Sequence, residues 1–110
     1  MPAYEPGDVV VVPFPFTERL ASKRRPALVC SSATYNAATR HVVLAMITTA
    51  RHSKWPGDVP IRALDAAGLP APSIVRWKLF TLDASLILRQ AGALAAEDRR
   101  ECAARHPIGL

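Results

Sequence analysis

Short apolar runs rich in β-branched residues are the strongest constraint on the fold of this 110-residue chain. Residues 9–12, 27–30 and 42–47 are each bounded by polar or turn-forming residues, which is typical of buried strands. The run 9–12 is continuously β-branched and predicts a strand that is covered on both faces. Pro13 and Pro15 then remove two donors from one lateral side, so we expect the end of this strand to be unpaired there.

Polar side chains stand where two of these strands begin or end. Arg25 precedes the run 27–30, and Thr48 follows the run 42–47. If the two strands pair antiparallel, the start of one lies beside the end of the other. The guanidinium is a fixed cation whose fork of donors suits phosphate, and the hydroxyl can give or accept a proton. We therefore predict that Arg25 and Thr48 form a phosphate-handling pair.

The rest of the chain predicts further short strands. Residues 59–61 are an expected edge strand, and residues 73–80 alternate well enough for a strand with Arg76 and Lys78 on one face. Residues 86–94 form the last strand region. Many short strands with Gly and Pro between them predict a small, partly closed barrel.

Helical sequence is confined to two places. Residues 31–40 are too polar and Ala-rich for a strand and predict a connection with one helical turn. In the tail, acidic residues at 97–98 precede Arg99, Arg100 and Arg105, the order that suits a helix dipole. The expectation is a single, mainly β domain over residues 1–110 with one C-terminal helix.

Charge and composition point to an anionic partner. The sequence has 14 Lys and Arg residues against 9 Asp and Glu residues, a net charge of +5. This positive charge favours binding to nucleic acid. The amino terminus lacks a secretory signal, and the longest apolar stretch is far short of the roughly 20 residues of a membrane span. We expect a cytoplasmic protein without membrane association. Cys30 and Cys102 form no CxxC pair, so we predict no metal site and a reduced, buried Cys30.

Five blocks of residues follow one another along almost the whole chain. They are GDVV with PFPF (7–10, 13–16), KRRPALV (23–29), ITT (47–49), AGLP with SIVR (67–70, 73–76) and LFTLD (79–83). In this order they resemble the MazF/PemK family of toxins from toxin–antitoxin pairs. The resemblance implies an SH3-like, partly open barrel of the CcdB/MazF type. It also implies a homodimer that cuts single-stranded RNA such as mRNA at a short recognition sequence, without metal or other cofactor.

Carried over by position, Arg25 and Thr48 match the catalytic pair of that family, the same pair that the strand argument indicates. RNA supplies its own nucleophile, the 2′-hydroxyl, so an enzyme needs to align it, stabilise the phosphorane and move two protons. We expect Arg25 to stabilise the phosphorane charge, and Thr48 to hold a non-bridging oxygen or relay a proton. A guanidinium is a poor base near neutrality, so the general base is left open. Candidates for it are His52, Glu18, His41 and His106.

Loop cations around one indole are the expected RNA-binding residues. Lys and Arg would contact phosphates, and Trp55 could stack on an unpaired base. Each has an alternative, since surface cations are often only solvated, Trp55 could cap the barrel and Arg76 could pair with Asp83. The candidate contacts are Lys23, Arg24, Thr49, Arg51, His52, Lys54, Trp55, Arg76 and Lys78.

A basic groove that must be silenced also predicts a protein partner. We expect an acidic, partly disordered antitoxin that folds as it binds and blocks this groove. Two other function classes are alternatives. One is a gyrase-directed toxin on the same fold, which would require a terminal Trp-Gly-Ile where this sequence ends Pro-Ile-Gly-Leu. The other is a catalytically silent barrel that binds nucleic acid or protein.

Overall fold

The fold was examined in a computed structural model that describes residues 4–14, 23–50, 54–106 and 108. The strands are β1 (Asp8–Phe14), β2 (Lys23–Val29), β3 (His41–Thr49), β4 (Val59–Pro60), β5 (Ser73–Asp83) and β6 (Arg89–Ala93). The helices are α1 (Ala33–Thr39), α2 (Leu64–Ala67) and α3 (Ala96–Arg105), and a 3-10 turn covers Ala84–Leu86. Within the described residues, these strands form one sheet in the order β4-β5-β3-β2-β1-β6, with antiparallel neighbours.

The sheet curls into a half-barrel because both of its faces are apolar. On one face, strand residues such as Val9, Leu28 and Ile47 pack with residues of α2 and α3. On the other face, strand residues such as Val10 and Leu44 form a second apolar cluster, which the curled sheet encloses. The mainly β fold with a C-terminal helix is as predicted, and so is the burial of residues 9–12 on both faces.

The end of β1 has only one strand neighbour. Its residues pair with β2 as far as Phe14, whereas β6 pairs only with residues 8–11. The predicted one-sided end of this strand is confirmed for the described residues. Pro15, also part of that prediction, lies outside them.

Helix α1 is longer than the one turn predicted for this connection. It spans seven residues, beginning after Ser32, whose hydroxyl accepts a hydrogen bond from the Tyr35 N–H (3.1 Å). The buried Asn36 ties the helix to the amino-terminal segment, since its Nδ2 donates to the Tyr4 carbonyl (2.8 Å). This long-range contact stabilises the helix beyond its local propensity.

A β-bulge interrupts β5. Met46 of β3 pairs with Arg76, but the preceding Ala45 pairs with Leu79, so Trp77 and Lys78 are additional residues on β5. The regular alternation predicted for Arg76 and Lys78 is therefore broken, and the strand continues to Asp83 rather than ending at residue 80.

Helix α3 is held to the start of α2 by a buried carboxylate and packs on the sheet with a buried thiol. Asp98 is 1% exposed and accepts hydrogen bonds from the N–H groups of Arg62 (3.0 Å) and Ala63 (2.9 Å). Cys102 lies in the same apolar cluster as Cys30, and both thiols are unpaired. The predicted burial of Cys30 is thus confirmed. None of the helices in the described part of the chain is long and apolar enough to cross a membrane.

Candidate nucleic-acid interface

Arg25 and Thr48 lie at the same end of the antiparallel pair β2 and β3. Ala27 lies opposite Met46 in the ladder between these strands. Continued by two residues, the same register sets Arg25 opposite Thr48, and directly opposed residues point to the same face of a sheet. The predicted antiparallel arrangement of the two strands is confirmed, and it brings the guanidinium and the hydroxyl to one rim.

Pro26 explains why the ladder stops before this pair. The Cys30 N–H donates to the Val43 carbonyl (2.8 Å), and alternate residues of β2 present their backbone groups to β3 in the same way. Pro26, opposite Ile47, is one of these alternate residues, but it has no N–H to donate. The strand ends that carry Arg25 and Thr48 therefore lie beyond the last hydrogen-bonded pair.

Neighbouring side chains on this face orient Arg25. On β1, Val12 pairs with Arg25, and Phe14 lies two residues further along the same face. The guanidinium carbon stands 5.8 Å from the centre of the Phe14 ring, a cation–π distance. Arg25 and Thr48 are both half-buried, so each is partly held by protein and partly open to solvent.

Arg76 is engaged with a carboxylate, though not the one considered from the sequence. It forms a two-bond ion pair with Asp58, from Nε to Oδ1 (3.2 Å) and from Nη2 to Oδ2 (3.0 Å). The alternative partner Asp83 stands at the other end of β5, opposite His41. The Arg76 and Asp58 side chains are only 13% and 16% exposed, so Arg76 is less accessible to a phosphate than the sequence suggested.

Electrostatics keep this ion pair charged. Burial raises the pKa of Asp58, but the hydrogen bonds from Arg76 and from the Trp55 backbone N–H, together with the Arg76 charge, outweigh it and set the pKa below its ordinary value. The hydrogen bonds to Asp58 raise the pKa of Arg76. Asp58 is the residue that the sequence reading missed, although Trp-Pro-Gly-Asp is a turn signature that could have indicated it.

Trp55 and Lys78 lie together, and Lys23, Arg24 and Lys54 are exposed. Lys78 Nζ stands 4.5 Å from the Trp55 ring centre, and Trp55 is 42% exposed, so it does not cap the barrel. Exposed candidates at the ends of β2 and β3 and in the following loop are Lys23, Arg24, Thr49 and Lys54. Arg51 and His52 lie outside the described residues, as does Glu18.

The two described histidines occupy different places. His41 begins β3, seven residues before Thr48, which is roughly 23 Å along an extended strand. It is too distant to act on the same phosphate as Thr48. His106 stacks on Trp77, with ring centres 5.0 Å apart and planes at 15°. Among the described residues, no group of three or more His, Cys, Asp or Glu side chains is arranged to hold a metal ion.

A cavity lies on the α3 side of the molecule, on the opposite face of the sheet from Arg25 and Thr48. Its volume is about 290 Å³, and it is lined by Arg62, Glu97, Arg100 and Glu101. The lining carries two charges of each sign, which does not single out an anionic ligand.

The chain matches a protein-family model described as PemK-like, MazF-like toxin of type II toxin–antitoxin system, over residues 5–106. No curated protein matches it significantly.

Solved structures are similar over nearly the whole chain. A MazE–MazF structure from Deinococcus radiodurans is 26% identical, covering 93% of this chain and 91% of that one, with a TM-score of 0.72. The Mycobacterium tuberculosis toxin MazF-mt6 is 24% identical, with 89% and 90% covered and a TM-score of 0.70. An endoribonuclease in complex with its cognate antitoxin, from a mycobacterial species, is 20% identical, with 91% and 87% covered and a TM-score of 0.70.

Proposed function

The chain belongs to the PemK-like, MazF-like toxin family of type II toxin–antitoxin systems, and on that premise we propose that it is a sequence-specific endoribonuclease. Its substrate is single-stranded RNA, and its reaction is attack of the 2′-hydroxyl on the adjacent phosphate without a metal ion. Residues 1–110 act as one toxin domain. The observation that supports the proposal is the antiparallel register of β2 and β3, with Ala27 opposite Met46, which sets Arg25 and Thr48 at the same end of the two strands.

The chemistry follows from the two side chains. Attack of the 2′-oxygen puts an additional negative charge on the phosphorane, and the Arg25 fork donates hydrogen bonds to its oxygens. Thr48 holds a non-bridging oxygen or relays a proton. The 2′-hydroxyl loses its proton to a general base as its oxygen bonds to phosphorus. The bond from phosphorus to the 5′-oxygen then breaks as that oxygen takes up a proton, and the products are the 2′,3′-cyclic phosphate and a 5′-hydroxyl. Contact with Phe14 orients the Arg25 side chain, which limits the motion it would lose on binding.

Substrate binding is assigned to the polar residues around this rim. Their positive charge attracts the phosphate backbone, and Trp55 stacks on an unpaired base. The described residues in this set are Lys23, Arg24, Thr49, Lys54, Trp55 and Lys78; Arg76, also expected there from the sequence, is instead bound to Asp58.

A cytoplasmic homodimer inhibited by an acidic antitoxin completes the proposal. Similar structures include MazE–MazF complexes and an endoribonuclease bound to its cognate antitoxin. By analogy, the partner of this chain is an acidic segment that covers the cationic rim and competes with RNA. Pull-down with the product of the neighbouring reading frame tests this part, and failure of that product to bind or inhibit counts against it.

Product analysis tests the reaction. The purified protein is incubated with unstructured RNA in excess EDTA, and the new ends are identified chemically. We expect 2′,3′-cyclic phosphate and 5′-hydroxyl ends, with no cleavage of a matched substrate that carries a 2′-deoxy sugar at the cut site. Cleavage of the deoxy substrate, or 5′-phosphate ends, would contradict attack by the 2′-hydroxyl.

A further inference from the structure

The turn at residues 55–58 is closed by the side chain that also binds Arg76. Asp58 Oδ2 accepts a hydrogen bond from the Trp55 N–H (3.0 Å), and the Asp58 N–H donates to the Trp55 carbonyl (3.1 Å). The same carboxylate receives both hydrogen bonds from Arg76 on β5. One residue therefore fixes the shape of the turn and attaches it to the sheet.

The two residues that follow Arg76 contact the same turn. Trp77 Nε1 donates to the Gly57 carbonyl (2.7 Å), and Lys78 lies over the Trp55 ring. Consecutive residues of a regular strand point to opposite faces, but the bulge of β5 breaks this alternation here. Gly57 has φ +84°, and a Cβ there would stand 3.2 Å from the Trp77 ring. The turn is thus attached to β5 at three successive positions.

This arrangement orders the backbone that carries a large aromatic side chain at the surface. Trp55 is 42% exposed although Lys78 lies over its ring. An exposed indole offers a π-face to any unpaired base, and a neighbouring ammonium offers a partner to its phosphate. Because contacts within the protein already order the turn, a ligand that binds there does not carry that entropy cost.

The attachment point lies close to Thr48. Arg76 of β5 is paired with Met46 of β3. Met46 is two residues from Thr48 and on the same face of β3. Diagonal neighbours of this kind are roughly 7–8 Å apart. A nucleotide next to the one held by Arg25 and Thr48 would therefore lie within reach of the 55–58 turn.

We propose that the 55–58 turn is a preset platform for one unpaired base beside the scissile phosphate, with Asp58 and Arg76 as its positioning residues. Arg76 then acts on RNA through Asp58 and Trp55 rather than as a direct phosphate contact. This inference rests on the proposed RNA cleavage, and it assigns to the platform the binding of one nucleotide.

Direct binding tests the platform separately from catalysis. A labelled 2′-O-methyl RNA of mixed sequence cannot be cut by 2′-hydroxyl attack, so its dissociation constant reports binding alone. We expect Trp55→Leu to weaken binding about tenfold and Trp55→Phe to retain most of it, because the stacking face is kept. Asp58→Asn should weaken binding in the same direction. Asp65→Asn, the same change at an exposed carboxylate of α2, should leave the dissociation constant unchanged.

Cleavage then distinguishes a positioning role from a structural one. Asp58→Asn should raise KM with little change in kcat, and the Asp58→Asn/Trp55→Leu double variant should be no worse than Trp55→Leu alone.

The outcomes separate the two proposals. Equal dissociation constants for Trp55→Leu and the wild-type protein would overturn the platform, even if RNA is cut normally. Loss of binding in Trp55→Leu with no cleavage by the wild-type protein would leave the platform standing and remove the proposed reaction. If the Asp58→Asn protein has a lowered melting temperature and is unfolded, the comparison of Trp55→Leu with Trp55→Phe decides whether the platform exists. Both changes are at an exposed side chain, Trp55.

Discussion

The carboxylate of Asp98 on α3 accepts a hydrogen bond of 2.9 Å from the backbone N–H of Ala63, at the start of α2. Its other oxygen accepts from the Arg62 N–H. One buried side chain therefore satisfies two backbone donors from a segment that has no side-chain cap of its own.

Substitution Asp98→Ala should destabilise the protein by about 1–3 kcal/mol, because it removes both hydrogen bonds and leaves two partly buried donors without their partner. Urea unfolding measures the change in the free energy of unfolding. Glu101→Ala, at an exposed position one turn further along α3, is the matched control and should change it by less than about 0.5 kcal/mol. Equal effects of the two substitutions would show that the Asp98 hydrogen bonds contribute little.

Gly92 should be equally intolerant, for a steric reason. A Cβ atom at position 92 in β6 would overlap the carbonyl oxygen of Ala66 in α2, and that backbone atom cannot rotate away. Gly92→Ala should lower the free energy of unfolding by about 1–3 kcal/mol. Gln90→Ala, at an exposed position of the same strand, should not. An unaltered urea midpoint for Gly92→Ala would mean that α2 and β6 are less closely packed than described.

The buried thiols predict a loss of stability in alkali. Burial is the main cause that raises the pKa of Cys30 from 9.0 to about 12, and the nearby Cys102 adds to it. Burial is also the main cause that raises the pKa of Cys102 from 9.0 to about 11, and the charges of Asp98 and Glu101 add to it. Below the pKa that a thiol has in the unfolded chain, the two thiols make their full contribution to the free energy of unfolding. This contribution is lost as the pH rises towards the native pKa values, because the thiols of the unfolded chain lose their protons first.

Urea unfolding at about pH 8 and about pH 10.5 tests this, with the Cys30→Ala/Cys102→Ala variant as control. The free energy of unfolding of the wild-type protein should fall more steeply between the two pH values than that of the variant. Parallel decreases would assign the alkaline loss to other groups.

Local sequence predicted the parts of this molecule that depend on periodicity and on position along a strand. The β-branched runs gave the strands correctly, and the opposition of Arg25 and Thr48 followed from the antiparallel pairing of two of them. The length of α1 was wrong because it depends on Asn36 reaching Tyr4, a contact between residues 32 positions apart. The β5 bulge and the Asp58–Arg76 ion pair leave no periodic signal, so the pairing of Asp58 with Arg76 emerged only from the structure, although the turn that ends at Asp58 has a sequence signature.

The electrostatic part of RNA binding predicts a dependence on salt. Lys23 is exposed at the start of β2, and we assign it to one phosphate contact. Lys23→Ala should weaken binding of the 2′-O-methyl RNA and reduce the slope of log K against log salt concentration by about 0.7. Binding measured over a salt series gives both quantities. An unchanged slope would place Lys23 outside the interface.

Single-turnover cleavage by Arg25→Ala and Thr48→Ala tests the central proposal most directly, with Arg89→Ala and Thr81→Ala as controls at exposed strand positions. Arg25→Ala should lower the cleavage rate by about 10²–10³-fold, as expected for removal of a donor to the developing charge. Thr48→Ala should also lower it strongly, both variants should keep the wild-type melting temperature, and the controls should cut normally. Cleavage at the wild-type rate by folded Arg25→Ala and Thr48→Ala proteins would contradict the assignment of the site.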